Sequence, residues 1–108
     1  MVTANQFSSI DFNTIATQTV VAAVAGKRIY VLGYQLYNGV ATAQTVQFKS
    51  GSNNLTGVES LPSSVGGPIM LPIAPVGRCW FFTDVGAALG MAMTAATQVG
   101  GSVAYIQV

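Results

Sequence analysis

Arg28-Ile29-Tyr30-Val31-Leu32-Gly33-Tyr34-Gln35-Leu36-Tyr37 is the stretch on which the fold turns. Its residues are β-branched, aromatic and leucine, and its apolar positions have no helical spacing, so it reads as a long strand. Tyr30, Leu32, Tyr34 and Leu36 fall on one face, and Ile29, Val31 and Tyr37 on the other. Gly33 in the middle points to a bulge or to close packing. Asn38-Gly39 then supplies a strong turn signal. A strand of a β-sandwich turns only one face to its own core. The second apolar face is therefore expected to be covered by another subunit, by a partner surface or by a loop. Exposed tyrosines in such a row would also suit stacking on sugar rings.

The same grammar extends in both directions. Thr17–Val24 reads as a strand apolar on both faces, turning at Ala25-Gly26-Lys27. Thr45–Lys49 alternates, with Val46 and Phe48 inward and Thr45, Gln47 and Lys49 outward. Gly51-Ser52-Asn53-Asn54 turns the chain into Leu55–Ser60, and Leu61–Gly67 reads as loop. Pro68–Ala74 sets Ile69, Leu71 and Ile73 against Pro68, Met70 and Pro72, which suits an edge or irregular strand because proline donates nothing to a ladder. Pro75-Val76-Gly77 turns into Arg78–Thr83, and Asp84-Val85-Gly86 turns again. Leu89, Met91 and Met93 alternate with Gly90, Ala92 and Thr94, and Gly100-Gly101 precedes a last strand, Ser102–Val108. Eight short strands without βαβ alternation predict an all-β fold, an antiparallel β-sandwich in the form of an eight-stranded jelly roll. Residues 1–16 read as a polar N-terminal arm without an element of its own, and 17–108 as the sandwich domain.

Composition excludes most chemistry. The 108 residues contain 51% hydrophobic and 6% charged side chains, with net charge +1 and no histidine. Without histidine, every Ser-His or Cys-His nucleophile is excluded. So small a charge gives no field to steer nucleic acid. The chain is expected not to be an enzyme, to need no cofactor and to bind no nucleic acid. Mean hydropathy is +0.54. Yet Val20–Gly26, Val85–Met93 and the proline-broken Val65–Gly77 are each shorter than the roughly 20 apolar residues of a membrane-spanning helix. Met1–Gln6 lacks the basic and apolar regions of a signal peptide. No membrane association and no visible export signal are the expectations. The apolar content exceeds what a small monomer comfortably hides, which points to surface covered by partners.

Individual candidates for chemistry all have plain structural readings. The single cysteine, Cys79, sits in Arg78-Cys79-Trp80-Phe81-Phe82 and reads as a buried thiol packed as a small hydrophobe. Asp11, Glu59 and Asp84 fall in an arm, a strand end and a turn, without the spacing of a calcium loop. Lys27-Arg28, the only adjacent basic pair, suits a solvated hairpin end. Asn54-Leu55-Thr56 matches a glycosylation sequon, relevant only to a secreted eukaryotic chain. Neither the glycines around Lys27 nor Gly86-x-x-x-Gly90 makes a phosphate cradle or a membrane contact motif.

Gly26–Tyr34, then Val46–Gly51 and Leu55-Thr56-Gly57, and the ending Leu89, Met91 and Met93 before Gly101–Tyr105 form a recognisable pattern. It resembles small structural proteins encoded among the head genes of tailed bacteriophages, several of them similar to jelly-roll decoration, or cement, proteins. The resemblance spans residues 17–108 and lies in β-pattern and turn placement. It implies a virion protein made in the host cytoplasm, sitting as a homotrimer on the capsid surface and bound to the major capsid protein. Phe7, Phe12, Tyr30, Tyr34 and Tyr37 are the candidate subunit or capsid contacts. A carbohydrate-binding or tail- or fibre-associated module for host attachment is the alternative expectation.

Overall fold

Period-two alternation along most of the chain leaves each strand one apolar side, and two such sheets bury those sides against each other. The computed structural model describes residues 6–13, 15, 17–39, 44–61, 69–74, 77–94 and 98–108. Among them are ten strands and no helix: β1 (Gln6–Phe12), β2 (Gln18–Val21), β3 (Ile29–Asn38), β4 (Gln44–Ser50), β5 (Asn53–Asn54), β6 (Glu59–Leu61), β7 (Ile69–Leu71), β8 (Phe81–Phe82), β9 (Leu89–Met93) and β10 (Val99–Gln107). One sheet has the order β1-β10-β3-β7, with β8 also on β3. The other has the order β2-β9-β4-β5, with β6 also on β4. All pairings are antiparallel.

The pairings are nested. β4 pairs with β5 and β6, β3 with β7 and β8, β2 with β9, and β1 with β10. Two further pairings, β10 with β3 and β9 with β4, join alternate nested pairs into sheets. The inward sides of both sheets meet in one core that includes Ile29, Val31, Leu36, Phe48, Leu89, Met91 and Val103. Phe48 lies at its centre, with ring centroids 5.0 Å from Tyr34 and 5.4 Å from Phe81.

Two departures from the sequence reading matter for function. Residues 6–12, expected within the arm, form β1, which pairs with β10 over its whole length. Ser8, Ile10 and Phe12 turn inward, and Ile10 is buried. Pairing with β10 satisfies the backbone of a segment too polar in composition to announce itself as a strand. The last strand begins three residues before the expected Ser102. Gly100-Gly101 lies inside it, paired with Tyr37 and Leu36, and position 101 requires glycine because a Cβ there would land on the Gln35 carbonyl oxygen. β1 and β5 are the two strands beyond the expected eight. Leu61, expected to open a loop, instead ends β6 and is buried, because its side chain joins the core. The rest of that loop at 62–67, the proline at 68 and the turn residues 75 and 76 lie outside the described residues, as do residues 1–5, 14 and 16 of the arm.

The strand at 29–38 carries the bulge expected of Gly33. Ala104 pairs with Gly33 and Tyr105 with Val31, so Leu32 is the extra residue. A bulge reverses which residues point inward. Ile29 and Val31 face the core before it, whereas Tyr34, Leu36 and Asn38 do so after it. β2 repeats the device, with Val20 as the extra residue between Thr19 and Val21. The two strands that look apolar on both faces are thus partly strands whose phase changes midway.

Candidate interaction surface

The outward sides of the two sheets differ in chemistry. On the β2-β9-β4 sheet, Thr19, Thr45, Gln47, Lys49, Gly90 and Ala92 point outward, a small and polar set. Thr45 and Thr94 share a hydroxyl hydrogen bond of 2.5 Å there. On the β1-β10-β3-β7 sheet the outward row runs from Phe7 through Ala104 to Gly33, with Ser9, Ser102, Gln35 and Met70 beside it. Phe7 is 69% and Met70 64% exposed. Ile73, Trp80 and Phe82 are also exposed.

Gly33 shapes this face. A Cβ there would meet the Leu71 carbonyl oxygen at 2.8 Å and Pro72 backbone atoms at 3.1 Å. The Leu71–Ala74 segment therefore crosses directly above it, held by the Ala74 amide donating to the Leu32 carbonyl at 2.8 Å. The Trp80 indole Nε1 donates to the Pro72 carbonyl at 2.7 Å and ties down the same segment. Between this ridge and Phe7 lies an open hollow of about 250 Å³, floored by Gly33, Gln35, Ser102 and Ala104. At one end of the face the Arg28 guanidinium sits 4.9 Å from the Phe82 ring centre, and Phe82 packs on Tyr30. At the other end Asp11, opposite Gly100, accepts a hydrogen bond from the Gln98 side chain.

The five contact candidates separate. Phe7 and Tyr37 point outward and are exposed, and Tyr30 is half-buried on the same side. Phe12 and Tyr34 turn inward: Phe12 packs against the core and Tyr34 is part of it. The bulge at Leu32 moves Tyr34 away from Tyr30, so the three tyrosines form no common platform. No family model and no curated protein matches this chain.

Tyr34 has a different task. Its hydroxyl donates to Glu59 Oε1 at 2.5 Å, linking the two sheets through side chains, while Glu59 Oε2 is buried without a hydrogen-bond partner. Burial, with the Glu59 hydrogen bond and charge adding to it, raises the phenol well above its ordinary value. The other two acids also have local structural partners, Asp11 with Gln98 and Asp84 with Ser50. Among the described residues no three His, Cys, Asp or Glu side chains group to hold a metal ion. Nor does any helix there have the length and apolarity to cross a membrane. Cys79, expected to be buried, is half-buried.

Met70, Ile73, Trp80 and Phe82 carry most of the exposed apolar surface beside Phe7, and residue-by-residue reading of the tyrosines passed over them. Two of them carried a legible signal. Met70 alternates with the inward Ile69 and Leu71, and Phe82 follows the inward Phe81.

Proposed function

We propose that the chain is a non-enzymatic virion structural protein, a capsid decoration protein that binds the outer surface of an assembled shell as an oligomer and stabilises it. One observation carries this reading: a sandwich already closed around its own core still leaves Phe7, Met70, Ile73, Trp80 and Phe82 exposed on and beside the outer side of one sheet. Monomers seldom leave such a patch open, and interfaces are where it belongs. The nested pairing supports the finer fold assignment. With β5 and β6 counted as one interrupted strand, and β7 and β8 as another, eight strands pair first with last, second with seventh, third with sixth and fourth with fifth. A long hairpin rolled into two sheets would pair in this way, which supports reading the sandwich as a jelly roll, a fold used by viral capsid domains and lectins.

The mechanism is mechanical. Packaged nucleic acid pushes a shell outward, and a protein bridging adjacent capsomers adds interface that must break before they part. With 6% charged residues the contact is apolar and hydrogen-bonded, so it resists salt. The test is co-sedimentation of the purified chain with mature virions or expanded capsids of its source at low and at molar salt. Retention at both is expected, and absence from the pellet at low salt overturns the reading. Trp80 favours a second reading, a carbohydrate-binding or tail- or fibre-associated module for host attachment. Its half-exposed ring, pinned by the Pro72 carbonyl, is the kind of aromatic plate sugars stack on. Saturable binding to one glycan, with none to capsids, would select it.

A further inference from the structure

We propose that two copies of this chain join edge to edge through β1, antiparallel about a two-fold axis, so that the β1-β10-β3-β7 sheet continues across the contact. The proposal rests on the oligomeric half of the reading above. It replaces the three-fold symmetry implied by the resemblance with a two-fold contact.

The edges of the two sheets are unequally protected. An open strand edge offers unpaired amides and carbonyls to any other strand, and folded proteins blunt it with short strands, proline, lysine or a bulge. One sheet ends in β7 and β8, of three and two residues, with Pro72 directly after β7. The other ends on one side in β5 and β6, of two and three residues. On its other side is β2, four residues long and broken by the bulge at Val20. The Val20 carbonyl is moreover taken by the Ser8 hydroxyl, which donates to it at 2.6 Å. β1 has none of these devices. It runs seven residues, Gln6–Phe12, without proline, lysine or a register shift, and among the described residues it pairs with β10 alone.

A second β1 suits this edge best. Any other edge of a second copy would match at most four residues and leave open edges at both ends, so that pairing would propagate. Pairing β1 with β1 uses both open edges at once and stops. Antiparallel alignment over all seven residues sets Ser9 opposite Ser9, Ser8 opposite Ile10, Phe7 opposite Asp11 and Gln6 opposite Phe12. Side chains of like direction then meet throughout, so Ser8, Ile10 and Phe12 stay inward in both copies. Asp11, the only charge on the strand, meets Phe7 and not its own copy. A parallel alignment would set the two aspartates side by side, which like charges oppose.

The contact is long and narrow. Seven paired residues span about 24 Å and form about six to eight ladder hydrogen bonds. A seam one strand wide covers less than the roughly 800 Å² per partner of a standard interface, so the pair is expected to separate on dilution. The chain's accessible surface of 5796 Å² is close to the roughly 5,700 Å² expected of a folded monomer of its mass. A second copy thus adds to a finished fold and is not needed to complete it.

Sedimentation equilibrium of the purified chain from micromolar to near-millimolar concentration tests this, with Ser9→Lys and Ser9→Glu as variants at an exposed position. The unaltered protein should rise from a mass of one chain to a mass of two. Each variant alone sets like charges opposite each other across the axis, so at least tenfold weaker self-association is expected, with unchanged circular dichroism. An equal mixture of the two variants should recover the two-chain mass, because lysine then faces glutamate. Hydrogen exchange of the unaltered chain gives a second readout independent of variant folding. The β1 amides that point away from β10 should exchange more slowly in concentrated than in dilute solution. A single-chain mass at every concentration overturns the proposal, as does undiminished pairing in either variant. So does a mixture no heavier than its components, or exchange of those amides that ignores concentration. A three-chain mass overturns the two-fold contact and leaves the decoration reading standing. A two-chain mass without capsid co-sedimentation does the reverse.

Discussion

Tyr34 shows how one residue can look like a contact and serve as a strut. On a strand with unbroken alternation it would point the same way as Tyr30. One extra residue turns it inward to Glu59, where the phenol satisfies a carboxylate oxygen that would otherwise be buried alone. Tyr34→Phe leaves both carboxylate oxygens unpartnered, so a loss of about 1–3 kcal/mol is expected in denaturant unfolding at neutral pH. The pH dependence has a definite sign. The unfolded phenol releases its proton near pH 10, whereas the folded one holds it to higher pH. Above about pH 10 the folded state therefore binds more protons than the unfolded state. Tyr34's contribution is complete below that pH and is lost as pH rises, by at most about 1.4 kcal/mol per pH unit. Alkaline unfolding curves of the unaltered chain and of Tyr34→Phe should converge; parallel curves would refute the assignment.

Among the elements, β3 and β4 show what a sequence pattern can and cannot convey. β4 was legible because its alternation is unbroken: Val46 and Phe48 are buried and Thr45, Gln47 and Lys49 are not. β3 was legible as a strand, and its glycine as a bulge or a close approach; both occur at the same place. The consequence for side-chain direction was not legible, because a bulge changes phase without changing composition. β1 was missed for the opposite reason. Its inward Ser8, Ile10 and Phe12 do alternate, but serine and an outward phenylalanine blur the pattern. Its strand character comes from β10, more than 85 residues away in sequence. Gly33→Ala tests the bulge directly. The new methyl would press on the Leu71 carbonyl, and relief means lifting the ridge that walls the hollow. A destabilisation of about 1–3 kcal/mol in thermal or chemical unfolding is expected, as for overpacking. A neutral outcome would mean that the ridge moves freely.

For the whole molecule, the excess of apolar residues divides into three parts. One fills the core, Val20 of the β2 bulge included, one stands exposed on or beside the β1-β10-β3-β7 sheet, and one is scattered over loops at Val24, Val58 and Val85. Composition revealed the total and not this division, since the outward share depends on which strand edges and ridges the fold brings together. The nested pairing also orders the folding reaction. β4 and β5 close a tight local turn, whereas β1 and β10 close nearly the whole chain, and long closures cost more entropy and come later. Pulse-labelled hydrogen exchange during refolding should protect β4 before β1; simultaneous protection would argue against this order. If β1 locks last, as this order predicts, the outer face that carries Phe7 is complete only on a finished subunit. Assembly would then carry its own quality check: chains still folding lack the finished face that a partner engages.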